Sequence, residues 1–385
     1  MLAVLSVVGL VYALAVAIGA WKVVRSVPLA ARIDAPAPRT WPRVSVIVPA
    51  CNEADSIEQA MRSRLLEEYP DAEYILVDDR STDGTGAIID ALAREDRRIV
   101  ALHVTALPEG WLGKMHAMQR GLERATGEYV LFSDADVHHE PGALARIVAH
   151  CEAHRIDHVA VMPWVWSSSF WLDVMFNAMV RLLALASRAW KVADPDSRVS
   201  IGGGNFNLVR RTALERAGGL EPLKLEVADD VALGQALKWS GARPAVFNAR
   251  GLGGLYYYRS VGEAVRGMEK NSFAALGRYS IARFTLLFLV LVVVELGPIV
   301  ALAGGGWTRV LAASALVLVA AAQAMLCRWL GRPLLPTLFM PVGIALNLFA
   351  SLRSMWKTLL RGGVEWRGTH YSLEALRRGM RFTLL

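Results

Sequence analysis

Residues 1–21 carry no charged side chain, and Lys22, Arg25 and Arg32 come next. About 20 consecutive apolar residues are enough for a helix to cross the hydrocarbon core of a bilayer. Two readings fit such a start. One is a retained anchor whose C-terminal end lies in the cytoplasm, because basic residues flank that end. The other is a cleavable signal peptide, although no basic segment precedes the apolar run. Three more apolar stretches follow late in the chain. Phe284 to Ala303 is broken only by Glu295 and Pro298 and runs into Gly304-Gly305-Gly306; Val310 to Cys327 ends at Arg328; Leu334 to Leu352 contains Pro336 and Pro341. If residue 25 is cytoplasmic and all three cross, the chain ends outside. Yet from Arg353 onward there are seven basic residues against two acidic ones. The fourth stretch is therefore read as re-entrant or interfacial, and the tail as lying on anionic headgroups or as solvated charge. No nucleic-acid-binding motif accompanies that charge, so nucleic acid is not an expected partner.

The composition agrees with a membrane part beside a water-soluble one: 54% of residues are hydrophobic and 20% charged, against ~25% charged in an average soluble domain. Cys51, Cys151 and Cys327 stand far apart, which excludes a disulfide framework and a thiolate zinc site. Between about Trp41 and Tyr279 the pattern changes. Short β-branched runs at Val44–Pro49, Tyr74–Asp78, Ile99–Val104 and Glu128–Phe132 alternate with helical periodicity at Ser56–Leu66, Thr85–Arg94 and Lys114–Ala125. Such alternation predicts an α/β domain of right-handed βαβ units with a parallel sheet covered on both faces. Ligands of these sheets sit at the carboxyl ends of the strands.

Three strands end in acid or amide. The first gives Pro49-Ala-Cys-Asn52-Glu53, the second Asp78-Asp79-Arg80-Ser-Thr-Asp83-Gly-Thr, and the fourth Ser133-Asp134-Ala-Asp136. Residues two apart in an extended chain face the same way, so Asp134 and Asp136 can address one site. Paired carboxylates are commonly held ionised by a divalent cation; an acidic loop tip is the plain alternative. Asp83 reads as a turn residue or helix cap. His138 and His139 are metal-ligand candidates or surface histidines. Trp164, Trp166, Phe170, Trp171 and Phe176, with Met162, Met175 and Met179, suggest either core or an interfacial amphipathic helix.

The ordered series Val-Ser-Val-Ile-Val-Pro-Ala-Cys-Asn-Glu, Val-Asp-Asp-Arg-Ser-Thr-Asp-Gly-Thr, Gly113-Lys114-Met-His-Ala117 and Ser-Asp-Ala-Asp resembles the successive signatures of the family 2 glycosyltransferases. The arrangement of one anchor before and apolar helices after is similar to the ceramide glucosyltransferase-like and hopanoid-associated members. The resemblance implies a GT-A fold over roughly Val44 to Tyr279. It implies that Pro49, Asn52, Glu53, Asp78, Asp79, Lys114 and Asp134 bind the nucleotide sugar, and that Asp136 with Asp134 holds Mg²⁺ or Mn²⁺. Glu226-Val-Ala-Asp229-Asp230 resembles the family's acidic pair, with Asp230 as base and Asp229 free to cap the helix that follows. Gly202-Gly203-Gly204-Asn205 is similar to the stretch lining the acceptor side, though a flexible turn would look the same. Glu263-Ala-Val-Arg266-Gly267 departs from the family's Gln-x-x-Arg-Trp. Its Arg266 implies a diphosphate contact or a surface arginine, and the missing Trp argues against processive polymer synthesis.

The expected organisation is an anchor at 1–24, a GT-A domain at 41–279, two to three transmembrane or re-entrant helices at 284–356 and a basic membrane-surface tail at 357–385. The expected activity is inverting transfer from a nucleotide-diphosphate sugar to a lipid or lipid-linked acceptor at the cytoplasmic face of the cell (inner) membrane. A polyprenyl-phosphate sugar synthase is the alternative enzyme, and a non-catalytic membrane scaffold the alternative outside that class.

Overall fold

A computed structural model describes residues 1–381. The chain opens with helix α1 (Leu2–Ser26), then strand β1 (Val44–Ala50), α2 (Ile57–Leu65), β2 (Ala72–Asp79), α3 (Thr85–Glu95) and β3 (Ile99–Val104). It continues through α4 (Gly113–Arg124), β4 (Tyr129–Phe132), β5 (His138–His139), α5 (Ala143–His154), β6 (His158–Met162) and α6 (Phe170–Ser187). Next come β7 (Asn207–Arg210), α7 (Arg211–Arg216), α8 (Asp229–Trp239), β8 (Pro244–Asn248), β9 (Gly253–Gly254), α9 (Val261–Gly267) and α10 (Ser272–Gly277). The last part holds α11 (Ile281–Ala301), α12 (Gly306–Leu330), α13 (Met340–Leu360), the hairpin β10 (Gly363–Trp366) and β11 (Thr369–Ser372), and α14 (Leu373–Gly379).

Seven strands form the central sheet in the order β3-β2-β1-β4-β7-β6-β8. β1, β2, β3 and β4 are parallel, so their carboxyl ends share one edge. The sheet is mixed, which corrects the all-parallel expectation: β7 runs antiparallel to both β4 and β6. β7 follows a long excursion through α6, and no crossover helix of the βαβ kind sets its direction. β1 and β2 are buried along almost their whole length, as strands covered on both faces must be, hence their unbroken apolar runs. One core cluster lies between the sheet and α2, α3 and α5; the other lies beneath α4 and α8.

Among the described residues, five helical segments are long and apolar enough to cross a membrane: Leu2–Ser26, Phe170–Lys191, Ile281–Ala301, Gly306–Leu330 and Leu335–Leu360. α1 packs against α11 and α12, with Gly9 pressed against Pro298. α6 joins this group through Arg181, which is buried and pairs with Glu295, while Glu295 also accepts from Tyr12. Phe170, Trp171 and Leu183 of α6 are nevertheless exposed, so this helix buries one side in the protein and presents apolar side chains on another. Breaking a buried ion pair from one side costs ~3–5 kcal/mol, because the other charge is left uncompensated. Arg181→Met is accordingly expected to lower the thermal unfolding midpoint in detergent, and adding Glu295→Gln to recover part of the loss. A midpoint unchanged in Arg181→Met would show that the pair does not hold α6 to the bundle.

The C-terminal part of α12 touches the α/β domain, where Asn248 Nδ2 donates to Trp329 O and Arg250 Nη1 to Arg328 O, both at 2.9 Å. α13 returns there too, with Ser354 Oγ accepting from Phe273 N at 3.0 Å. The tail departs from the expected membrane-surface segment. Val364 and Tyr371, paired across the hairpin, and Leu376 of α14 are buried in the core beside Met115. Tyr371 Oη accepts from Gly113 N at 3.0 Å, and Arg377 Nη2 donates to Tyr279 O at 2.7 Å. Apolar residues spaced between the tail's cations give it a face that docks on protein.

Candidate active site

The carboxyl ends of β1, β2 and β4 open into a cleft of about 530 Å³. Pro49, Glu53, Asp79, Lys114, Asp134, Asp136 and Arg266 all line it. Exposed Asn52 and buried Asp78 do not line it but tie its loops together. Asn52, at φ +55°, accepts from Thr82 N through Oδ1 at 2.8 Å. Asp78 accepts from Ser81 N and faces His103 Nδ1, each at 3.1 Å; these contacts with Asp78 and Asp90 raise the pKa of His103. Asp83 is a loop staple, accepting from Ala54 N and from Thr85 N at 3.1 Å. Asp79 holds Arg80 at 2.8 Å.

Asp134 and Asp136 share the cleft with Glu53. Burial, then the charges of Asp134 and Glu53, push Asp136 up to about 7. Glu53 is raised as well, by burial first, with Arg367 working against the shift. Among the described residues no three metal-ligating side chains form a complete set. A cation between these carboxylates would thus take further oxygens from a ligand or water, as Mg²⁺ and Mn²⁺ sites commonly do. Carboxylates that repel one another in a buried place fit such an ion.

Lys114, at the start of α4, bridges Asp134 at 2.8 Å and Asp229 at 3.0 Å. Burial opposes its charge, yet Asp134, Asp229 and Asp230 hold its pKa well above the ordinary lysine value. Ala228, which precedes α8, offers no side-chain cap, and it is Asp230 Oδ1 that accepts from a first-turn amide, Val231 N, at 2.8 Å; the Asp229 carboxylate is drawn to the lysine instead. Asp230 accepts from Gly204 N through Oδ2 at 3.1 Å. Burial and then Asp229 raise its pKa, with Lys114 pulling the other way. The glycine stretch is tightly packed, which answers the flexible-turn alternative. A Cβ on Gly204 would lie 2.5 Å from Asp134 Oδ2, and one on Gly202 would strike the backbone of Asp230. Only a bare backbone lets the 202–204 stretch pass between the two acidic elements.

A second cavity of about 530 Å³ meets the first at Lys114 and Asp134. Gly203, Gly204, Asn205, Asp229 and Asp230 line its inner end. Its other walls come from Val23 of α1, Phe176, Met179 and Leu183 of α6, and Leu326 and Trp329 of α12.

Several contributors were not legible as site residues. Arg64 is fully buried; its Nε donates to Val137 O at 2.9 Å and its Nη2 to Asp134 O, clamping the acidic loop from behind. A signal existed: Ile57, Met61 and Arg64 share one helical face, so a cation stands where an apolar residue belongs. Tyr257, Tyr258, Lys270 and Tyr371 also line the donor-side cleft, and chain separation hid them; Trp366 and Arg367 join them there. His139 is half-buried against Phe206, and burial pushes it down to about 3, so it is neither a surface group nor part of a ligand cluster among the described residues.

Sheet order, acidic strand ends and the paired cavities define a GT-A-type α/β transferase domain. Residues 45–217 match the family model for Glycosyl transferase family 2. Among solved structures the chain is similar to the mannosyltransferase PcManGT from Pyrobaculum calidifontis in complex with GDP-Man and Mn²⁺, at a TM-score of 0.56 and 22% identity over 93% of this chain and 99% of that one, a likeness of fold. Curated relatives include a beta-monoglucosyldiacylglycerol synthase of Nostoc sp., 28% identical over 46% of this chain and 38% of its own length. Another is an undecaprenyl-phosphate 4-deoxy-4-formamido-L-arabinose transferase of Proteus mirabilis, 32% identical over 29% of this chain and 34% of its own length. The matched stretches thus span well under half of those relatives.

Proposed function

We propose that this chain transfers a sugar from a nucleotide-diphosphate sugar in the first cleft to a lipid acceptor in the second cavity, with inversion at the anomeric carbon. One observation carries the reading. The polar cleft with Asp134 and Asp136 meets, at Lys114, a cavity that holds Asp230 and is lined on one side by apolar side chains of α1, α6 and α12. A sugar nucleotide suits the former; an acceptor with an acyl or prenyl tail suits the latter.

In this reading Pro49, Glu53, Asp79 and Arg266 hold the donor, while Asn52 and Asp78 shape the loops that carry it. Asp136 and Asp134 would hold Mg²⁺ or Mn²⁺, which supplies charge neutralisation of the departing diphosphate. Asp230 takes the acceptor hydroxyl's proton as its oxygen attacks, and Asp229 fixes Lys114 against Asp134. Gly203, Gly204 and Asn205 leave room for the acceptor headgroup. Lys22, Arg25, Arg283 and Arg328 lie at the helix ends next to the α/β domain, with Arg309 near the opposite ends. By the positive-inside rule the domain faces the cytoplasm. In this reading the anchor spans 1–24 and the catalytic domain 41–279, with the tail packed on the domain. A polyprenyl-phosphate acceptor is the second reading, favoured by Arg278 and Arg283 on the wall of the second cavity.

The test is a screen of radiolabelled UDP- and GDP-sugars with membranes containing the chain and added membrane lipid extracts. A labelled product that partitions into organic solvent and disappears with Asp230→Asn supports hydroxyl-lipid transfer. Label released only as free sugar would sink the lipid acceptor.

A further inference from the structure

The fold brings a second lysine to the place where the two cavities meet. Lys270 lies in the turn between α9 and α10, outside residues 45–217, and lines both the donor cleft and the acceptor cavity. Lys114, at the same junction, is already committed to Asp134 and Asp229. Lys270 differs. Among the described residues no carboxylate lies within 4.0 Å of its ammonium, which instead sits 3.7 Å from the centroid of the Trp366 ring. Trp366 arrives on β10, and the hairpin is held over the cleft by Tyr371 against Gly113 and by Arg80 Nη1 donating to Thr369 Oγ1 at 3.3 Å. An aromatic face attracts an ammonium without neutralising it. The N–H groups turned away from the ring stay available to an anion.

We propose that Lys270, seated on Trp366, binds the diphosphate of the donor and stabilises it as it departs. This deepens the reading of the first cleft as a nucleotide-diphosphate site and rests on it. In the transfer, the acceptor oxygen bonds to the anomeric carbon, and the bond from that carbon to the β-phosphate oxygen breaks. The electron pair of the broken bond stays on the phosphate oxygen, and the acceptor's proton goes to Asp230. Negative charge therefore grows on the β-phosphate, where a fixed cation stabilises the transition state more than the ground state. Asp134, Asp229 and Asp230 also face this junction, and Lys114 pairs directly with the first two. Lys270, which forms no such ion pair among the described residues, is the cation whose N–H groups a diphosphate can take.

The experiment measures equilibrium binding of UDP, GDP, UMP and GMP, with Mn²⁺, to the detergent-solubilised full chain and its variants. Losing a hydrogen bond to a charged group should weaken binding of the preferred nucleoside diphosphate by about 10- to 100-fold in Lys270→Met and in Trp366→Leu. The matching monophosphate should bind as before, and Lys270→Arg should keep most of the diphosphate affinity. The double variant should be little worse than Lys270→Met, since both act through one contact. Unchanged diphosphate affinity in Lys270→Met would overturn the proposal. Equal losses for mono- and diphosphate would overturn it too, marking a structural role. If Lys270→Met does not fold, Trp366→Leu, at a half-buried hairpin position, carries the same comparison. A wild-type chain that binds none of the four nucleotides overturns the donor assignment itself, an outcome distinct from the other two.

Discussion

Asp230→Asn is expected to lower turnover by about 10²–10⁴-fold, the usual contribution of a positioned general base, while donor affinity changes little. The reason lies in what surrounds the carboxylate. It accepts from Gly204 N, lines the acceptor cavity and has its pKa raised by burial and by Asp229. A raised pKa makes a carboxylate a better proton acceptor at neutral pH, provided Lys114 still leaves it ionised. The amide keeps the shape and can still accept from Gly204, so the loss should appear in kcat. Asp229→Asn should behave differently. It removes one of two carboxylates from Lys114, which should raise the donor KM more than it lowers kcat. Both variants are compared by steady-state kinetics in detergent, with circular dichroism as a folding control. If Asp229→Asn proves the more damaging to kcat, the base is assigned to the wrong residue. If Asp230→Asn turns over normally, an already ionised phosphate acceptor explains the chemistry better.

Legibility followed the distance over which each interaction acts. β1 and α2 were readable to within one residue at either end, because buried parallel strands need continuous apolar runs and their helices need a 3.6 period. The carboxylates at strand ends were readable for the same reason: parallel strands bring all their carboxyl ends to one edge. β7 was not. Its antiparallel direction depends on the long path through α6, which leaves no local trace. The tail hairpin was hidden by its charge, since Val364, Trp366 and Tyr371 are outnumbered by the cations around them. Lys270 and Trp366 meet across 96 residues, and neither has a neighbour that announces the other. Asp229 shows the limit from another side. An acid at a helix start reads as a cap, and only the three-dimensional position of Lys114 reassigns it.

Chelation is expected to abolish transfer, and Mn²⁺ or Mg²⁺ to restore it, with Asp136→Asn failing to respond. A Lewis-acid ion contributes several kcal/mol to a departing charge, so at 1.36 kcal/mol per decade the loss should be about 10³-fold or more. Asp136 is the residue to alter because Asp134 is also engaged by Lys114 at 2.8 Å, whereas Asp136 faces Asp134 and Glu53 with burial against it. Titration of Mn²⁺ into the purified chain should show binding in the wild type and none in Asp136→Asn. Thermal unfolding gives a control with the opposite sign. Asp136 is pushed up to about 7 in the fold, above its ordinary value near 3.9, so between those two values the native chain binds more protons than the unfolded one. Stability without metal then falls as pH rises from about 4 to about 7. Asp136→Asn removes that dependence, so it should unfold at a higher temperature than wild type at pH 8 without metal, although it is inactive. Full turnover of the wild type in excess chelator would leave the cations of the cleft to neutralise the diphosphate alone. A variant less stable than wild type at pH 8 without metal would instead mean that Asp136 is held by the fold for its own sake.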